Sequence, residues 1–253
     1  MNSGVWMGLI LPLAGTVLGS AAVFVLRGAI PEKTEKAMLG FAAGVMTAAS
    51  IFSLILPAME QSGWLPAAAG FLLGIGFLLL VDELVPHVHV ISQEAEGLPV
   101  PWKRTTKLFF AITLHNLPEG MAVGVVLAGL LDGSTVMSTS AALALCLGIA
   151  LQNVPEGAVL SMPLHAEGMP KTRAFGFGAL SGVIEPVGAG LTILCRQWIL
   201  PFLPWLLAFA AGAMLYVVVE ELVPQSQNGK HSNIGTVAFA LGFAAMMVLD
   251  SAL

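Results

Sequence analysis

The sequence predicts an all-helical membrane protein built from eight transmembrane helices. Of its 253 residues, 57% are hydrophobic and only 10% are charged, whereas soluble domains carry about 25% charged residues. The apolar residues form eight stretches, each close to the ~20 residues that a helix needs to cross a bilayer. Lysine and arginine concentrate in alternate connections between these stretches, as in multi-pass proteins of fixed orientation.

Charged clusters and turns rich in Pro, Gly or Asn separate the apolar stretches. The stretches cover residues of about 4–26, 36–57, 65–86, 106–131, 136–163, 172–195, 202–223 and 234–252. We treat residues 1–253 as a single transmembrane domain, because the connections leave no room for a sizeable soluble one. The first stretch should remain as a span rather than be cleaved as a signal peptide, since its first positive charge, Arg27, follows the apolar run.

The distribution of positive charge predicts the orientation of the chain. Nine of the ten Lys and Arg residues lie in odd-numbered connections or at the stretch ends that border them, and the exception is Arg196, after the sixth stretch. Positive residues accumulate on the cytoplasmic side of membranes, so we expect these connections in the cytoplasm and both termini outside it. The longest connection, about 87–105, is then cytoplasmic. We expect the protein in the cell (inner) membrane.

Two similar hexapeptides interrupt the fourth and fifth stretches. HNLPEG covers 115–120 and QNVPEG covers 152–157. At 1.5 Å per residue, both lie roughly half-way across the hydrocarbon layer. Because the two stretches run in opposite directions, the duplicated motif predicts an inverted arrangement around a midplane site. Pro118 and Pro155 each remove a backbone hydrogen bond, so we expect interrupted backbone beside a polar cavity.

Polar residues of these motifs have the spacing of metal ligands. Residues four apart share a helix face, which pairs His115 with Glu119, and Gln152 with Glu156. Asn116 and Asn153, the second residues of the two hexapeptides, lie on a neighbouring part of the helix surface. A second ion that shares both glutamates is geometrically possible there. With a third acid in the sixth stretch, the candidate metal ligands are His115, Asn116, Glu119, Gln152, Asn153, Glu156 and Glu185.

The three glutamates require a source of positive charge. An acid at the bilayer centre costs at least about 2.5–3.5 kcal/mol, yet no Lys or Arg lies in the central segments. Protons or divalent cations would supply the missing charge. Nitrogen and oxygen ligands without thiolate suit Zn²⁺, Fe²⁺, Mn²⁺ or Cd²⁺ better than Cu⁺, and Ca²⁺ takes oxygen ligands rather than imidazole.

At these residues the chain resembles the Zrt/Irt-like protein (ZIP) family of divalent-metal transporters, most closely its bacterial GufA-like branch. The resemblance covers all eight stretches and implies a 3+2+3 helix bundle that works as a homodimer and carries Zn²⁺ and related ions toward the cytoplasm. It places a first ion on His115, Glu119, Gln152 and Glu156, and a second ion on Asn116, Glu119, Asn153, Glu156 and Glu185. Many relatives have His where this chain has Gln152.

The same resemblance implies a cytoplasmic exit region for the transported ion. Its candidate residues are Asp82, His87, His89, Glu220 and Glu221. Taken without the resemblance, these residues are equally well explained as a solvated loop and a membrane interface, where charge is tolerated.

Two other classes of function remain as alternatives. One is a membrane-embedded hydrolase in which a bound metal activates water, and the other is a proton-linked carrier of small organic solutes. Duplicated motifs on antiparallel helices favour two-sided access over a one-sided active site, and the amide and imidazole groups favour metal over protons alone. There is no Walker-type motif and no large basic patch for nucleic acid. We therefore predict a metal transporter rather than an enzyme, without ATP or an organic cofactor.

Overall fold

The computed structural model describes residues 3–26, 28, 30–88, 95–96, 98, 100–101, 104–133 and 138–253. At residues 3, 4, 87, 88, 95, 96, 104, 105, 108 and 111 it describes the backbone alone. Within this part of the chain, eight helical segments are long and apolar enough to cross a membrane, which confirms the predicted number. We number them as spans one to eight: Val5–Val25, Glu32–Ser62, Trp64–Leu84, Ile112–Leu131, Thr139–Ala166, Lys171–Leu194, Arg196–Gln227 and Ile234–Ala252.

Four spans are continuous α-helices. The helices of spans three, four, five and eight are Trp64–Leu84, Arg104–Leu131, Thr139–Ala166 and Ile234–Ala252. Spans four and five continue through Pro118 and Pro155, so the predicted interruption at the two hexapeptides is wrong. A proline removes one hydrogen bond, whereas opening the whole turn would expose more unpaired backbone groups away from water.

The other four spans consist of several helical segments. These segments are Ser3–Ser20 and Ala22–Val25 in span one; Glu32–Ala49, the π-helical Ser50–Ile55 and Leu56–Ser62 in span two; Lys171–Ser181 and Ile184–Leu194 in span six; and Arg196–Ile199, the 3₁₀ turn Leu200–Phe202, Leu203–Val217, the π-helical Val218–Leu222 and Val223–Gln227 in span seven. A proline follows each π-helical segment, at Pro57 and Pro224.

Span six breaks beside its acid. Pro186 has no N–H to donate to the carbonyl of Gly182, which instead accepts a hydrogen bond from the Glu185 N–H at 3.1 Å. Gly182 and Val183 therefore separate the two helices of this span. The break places Glu185 in the first turn of the second helix.

Spans two and seven are longer than the apolar pattern predicted. Polar residues at both ends, such as Glu32 and Gln227, continue these helices beyond the apolar stretch. In the connection after span three, the backbone of His87–Val88 pairs with that of Ala95–Glu96 in an antiparallel register. This short pairing is the β structure within the described residues, and the remaining elements are helical.

Pairs of glycines four residues apart bring the spans into close contact. A β-carbon on any of these glycines would lie 2.0–2.8 Å from an atom of a neighbouring span. Such small residues allow helix backbones to approach each other in membranes. The pairs are Gly15 and Gly19, Gly40 and Gly44, Gly70 and Gly74, Gly120 and Gly124, and Gly178 and Gly182.

These glycine contacts join four of the spans into one group and the other four into two pairs. In the order given above, the pairs join span one to five, two to eight, three to seven, four to six, and six to one. Spans one, four, five and six thus form one group. The pairs two–eight and three–seven make up a second group, because spans two and seven also pack against each other. Spans two and five meet across the boundary, as do spans four and seven. The hexapeptides in spans four and five are therefore carried by helices that border the second group.

Gly74 provides a test of this packing. Its substitution by Ala would place a β-carbon 2.0 Å from the Phe209 carbonyl oxygen, whereas a β-carbon at Gly76 would have no atom within 4 Å. We expect Gly74→Ala to lower the melting temperature of the detergent-purified protein by roughly 3–10 °C, from an overpacking cost of about 1–3 kcal/mol. Gly76→Ala, the matched control, should leave it unchanged or raise it. Equal melting temperatures for the two variants would contradict the packing.

Candidate metal centre

Residues of both hexapeptides meet between spans four and five. His115, Asn116 and Glu156 line one cavity of about 40 Å³, which has room for about three water-sized particles. The carboxyl groups of Glu119, Glu156 and Glu185 lie close enough to repel one another. The structure thus brings together acids from spans four, five and six.

These polar groups are enclosed by the protein. Asn116, Glu119, Gln152, Asn153 and Glu185 are each no more than 1% exposed, while His115 and Glu156 are partly buried. Among the described residues, one ion pair is found, between Lys36 and Glu32. It involves none of the three central acids. Their charge is therefore not balanced by a neighbouring Lys or Arg in this part of the chain.

Both asparagines use their amide nitrogens to bind neighbouring groups. The Asn116 amide donates to the Ser181 carbonyl at 3.3 Å. The Asn153 amide donates to Glu185 Oε2 at 2.8 Å and to the Pro12 carbonyl at 3.2 Å. Within the described residues, the two amide oxygens have no hydrogen-bond partner. These buried oxygens are acceptors of the kind that bind cations.

Other donor atoms of the predicted set also lack partners within the described part of the chain. They include both carboxyl oxygens of Glu119, one carboxyl oxygen of Glu156 and both polar atoms of the Gln152 amide. The Gln152 amide lies beside the Glu119 carboxyl group without a hydrogen bond of normal geometry. Each unsatisfied buried group costs about 1–3 kcal/mol. A cation among these oxygens would remove much of that cost.

The donor atoms do not form a closed coordination shell. Among the described residues, no three His, Cys, Asp or Glu side chains form a group arranged to hold a metal ion. The predicted set relies on Asn and Gln oxygens as well as acids, and the three acids repel one another. The structure therefore gathers the predicted ligands in one region without closing them around a point.

Glu185 differs from the other two acids because donors occupy both of its oxygens. Thr16 Oγ1 donates to Oε1 at 3.1 Å, and the Asn153 amide donates to Oε2. Sequence reasoning missed Thr16, which lies in span one. A signal was present, since Thr16 and Ser20 are the two polar side chains in the apolar stretch Val5–Val25, and each directly follows a glycine of the pair Gly15 and Gly19.

The structure places the predicted exit residues in different environments. Glu221 is 4% exposed, lies in the π-helical segment of span seven and lines the same cavity as His115. The Gln225 amide, which sequence reasoning missed, donates to the Glu221 carboxylate. Glu220 is exposed, whereas Asp82 is buried near the end of span three. The side chain of His87 and the whole of His89 lie outside the described residues.

A second cavity lies toward the other end of span two. Its volume is about 260 Å³, and Ser53, Glu60 and Asp250 contribute to its lining. The Ser53 hydroxyl donates to the Asp250 carboxylate at 2.7 Å. The protein thus has polar cavities at two different levels of its spans.

Comparison with known proteins identifies the family. A family model described as ZIP zinc transporter matches residues 103–250, more than half of the chain. The chain belongs to the ZIP zinc transporter family. The predicted membership of this family is confirmed. The prediction of a membrane transport protein rather than an enzyme is confirmed with it. With eight spans, this ZIP protein is an integral multi-pass membrane protein.

Relatives from bacteria and animals cover nearly the whole chain. Zinc transporter GufA of Myxococcus xanthus is 37% identical over 95% of this chain and 96% of its own length. Zinc transporter ZIPB of Bordetella bronchiseptica is 39% identical over 95% of this chain and 78% of its own length. Zinc transporter ZIP11 of Homo sapiens is 32% identical over 93% of both chains. The similarity of this ZIP protein to its relatives therefore includes all three spans that carry the central acids.

Glu119 allows the metal centre to be tested without measuring transport. Glu119→Gln removes one of three mutually repelling carboxylates and keeps the side-chain shape. We expect the metal-free protein in detergent to melt at a higher temperature than wild type, and the further rise on adding Zn²⁺ or Cd²⁺ to be smaller. Asp132→Asn, at an exposed position just after span four, is the control and should match wild type in both measurements. A variant that gains no stability and keeps the full metal response would count against the centre.

Proposed function

We propose that the protein carries divalent transition-metal ions across the membrane toward the cytoplasm, with Zn²⁺ as the main substrate and Cd²⁺, Fe²⁺ or Mn²⁺ as others. The observation that carries this proposal is a set of buried carboxyl and amide oxygens without hydrogen-bond partners among the described residues. A doubly charged ion supplies the positive charge that these groups lack. Relatives named as zinc transporters support zinc as the substrate.

The proposed site binds two ions that share the glutamates of the hexapeptides. The amide nitrogens of Asn116 and Asn153 support this, because they donate to neighbouring protein groups and leave the amide oxygens for a cation. Two dications nearly balance three carboxylates, and this near balance lets the ions leave again. The first ion lies on His115, Glu119, Gln152 and Glu156, and the second on Asn116, Glu119, Asn153, Glu156 and Glu185.

Ions reach the site from one side of the membrane and leave on the other. The cavity at Glu60 and Asp250 supports an outer entrance, and the presence of Glu221 in the cavity of His115 supports an inner exit. We assign the exit to Asp82, His87, His89, Glu220 and Glu221. No ATP or organic cofactor takes part, and the ions themselves are the cargo.

The proposed architecture is a 3+2+3 helix bundle with inverted pseudo-symmetry. It lies in the inner membrane, with both termini on the side away from the cytoplasm. The pseudo-symmetry would exchange spans one, two and three with spans six, seven and eight, and span four with span five. Under this exchange, the contact between spans one and five corresponds to the one between spans six and four, and the contact between spans two and eight to the one between spans seven and three. The same exchange relates the π-helical segments of spans two and seven. We further propose a homodimer, which would cover part of the apolar surface that spans three and eight expose in a single chain.

Removal of either hexapeptide glutamate tests the proposed transport. We expect Glu119→Ala and Glu156→Ala to reduce uptake of radioactive zinc into proteoliposomes to the level of protein-free vesicles, because each removes a ligand shared by both ions. Asp132→Ala, at an exposed position just after span four, should transport like wild type. Wild-type uptake by either hexapeptide variant would refute the assigned site.

Substitution of Gln152 tests whether this residue sets the preference of the transporter among metal ions. Gln152→His adds an imidazole ligand, which suits Zn²⁺ and Cd²⁺ better than Mn²⁺. We expect competition by Mn²⁺ for zinc uptake to weaken several-fold and competition by Cd²⁺ to persist, with Fe²⁺ and Mg²⁺ measured alongside. Gln197→His, at an exposed position, is the control. An unchanged order of competing ions would show that Gln152 does not contact the ion.

A further inference from the structure

Thr16 is a buried hydroxyl donor with an unusual partner. It is 1% exposed, and its Oγ1 lies 3.1 Å from Glu185 Oε1 but 3.5 Å from the Pro12 carbonyl one turn back in its own helix. Threonines in helices commonly bond that carbonyl. Three others in this protein do so at 2.6–2.8 Å: Thr47, Thr113 and Thr192. Thr16 is therefore directed toward the acid and away from its own backbone.

Two glycines next to the metal centre allow Thr16 to reach Glu185. A β-carbon on Gly182, at the break in span six, would lie 2.8 Å from Thr16 Oγ1. A β-carbon on Gly157, the last residue of the second hexapeptide, would lie 2.3 Å from the Thr16 carbonyl oxygen. Span one is thus seated against spans five and six at the level of their acids.

The hydrogen bonds around Glu185 fix its orientation without neutralising its charge. Thr16 holds one carboxyl oxygen, and the Asn153 amide holds the other while also donating to the Pro12 carbonyl. Each carboxylate oxygen retains a further lone pair for a cation. Rotation of the carboxyl group would break at least one of these bonds.

We infer that Thr16 is a positioning residue: its hydroxyl group orients Glu185 for the transported ion and thereby sets the apparent affinity for that ion. This inference rests on the proposed function. It gives span one, which carries none of the ligands assigned above, a defined part in metal binding. The effect depends on the hydroxyl group and not on the size of the side chain.

Substitutions at Thr16 separate the hydroxyl group from packing. Thr16→Val keeps the shape and loses the donor, Thr16→Ala loses the donor without crowding, and Thr16→Ser keeps the donor. Thr192→Val in span six is the matched control, because the Thr192 hydroxyl bonds only the Gly188 carbonyl of its own helix among the described groups. The measurements are KM and Vmax for zinc uptake into proteoliposomes and the melting temperature in detergent.

We expect Thr16→Val and Thr16→Ala to raise KM about tenfold, in line with loss of a charge-assisted hydrogen bond, and to change Vmax less than about twofold. Thr16→Ser and Thr192→Val should keep KM within about twofold of wild type. A wild-type KM in both Thr16→Val and Thr16→Ala would overturn the inference, as would a Thr16→Ser variant as impaired as Thr16→Val.

Glu119→Ala, measured in the same vesicles, distinguishes failure of this inference from failure of the proposed function. Loss of uptake in Glu119→Ala together with a wild-type KM in the Thr16 variants overturns only the role of Thr16. Normal uptake in Glu119→Ala overturns the proposed site and the inference together.

Discussion

The burial of three carboxyl groups without a neighbouring Lys or Arg constrains everything around the centre of this protein. Among the described residues, Thr16 and Asn153 donate hydrogen bonds to Glu185. At Glu119 the neighbouring Gln152 amide makes no hydrogen bond of normal geometry. The amide nitrogens of both asparagines turn to backbone carbonyls or to Glu185, so their oxygens remain in the same region as the acids. Under the proposed function, the chain supplies acceptors and the transported ion supplies the positive charge.

Sequence reasoning predicted the spans and the central acids because both depend on local properties. A bilayer requires a certain apolar length, and a buried acid is costly wherever it lies in the membrane. Contacts between distant spans are not local. Nothing in one helix alone shows that Thr16 meets Glu185, 169 positions away. The effect of proline was also misjudged, because continuity at Pro118 and Pro155 depends on the packed surroundings of the helices.

The glycine pairs explain how polar groups from several spans come within reach of one another. Direct contacts at these glycines hold spans one, four, five and six together and join span two to eight and span three to seven. The cavity lined by His115 and Glu156 lies on the boundary between the groups, where Leu39 of span two and Val217 of span seven complete its wall. Its lining thus combines polar groups from one group of spans with apolar and acidic side chains from the other.

The π-helical segment in span seven carries a neighbouring pair of acids, of which one lines this cavity. One extra residue in a helical turn rotates everything beyond it by about 100° relative to a regular α-helix. Glu221 lies inside the protein, and Glu220 lies on its surface. The number of residues in this turn therefore sets the direction of the side chains that follow it. A one-residue deletion just before the pair would change the phase of the helix and present a different side chain to the interior, even though both glutamates were retained.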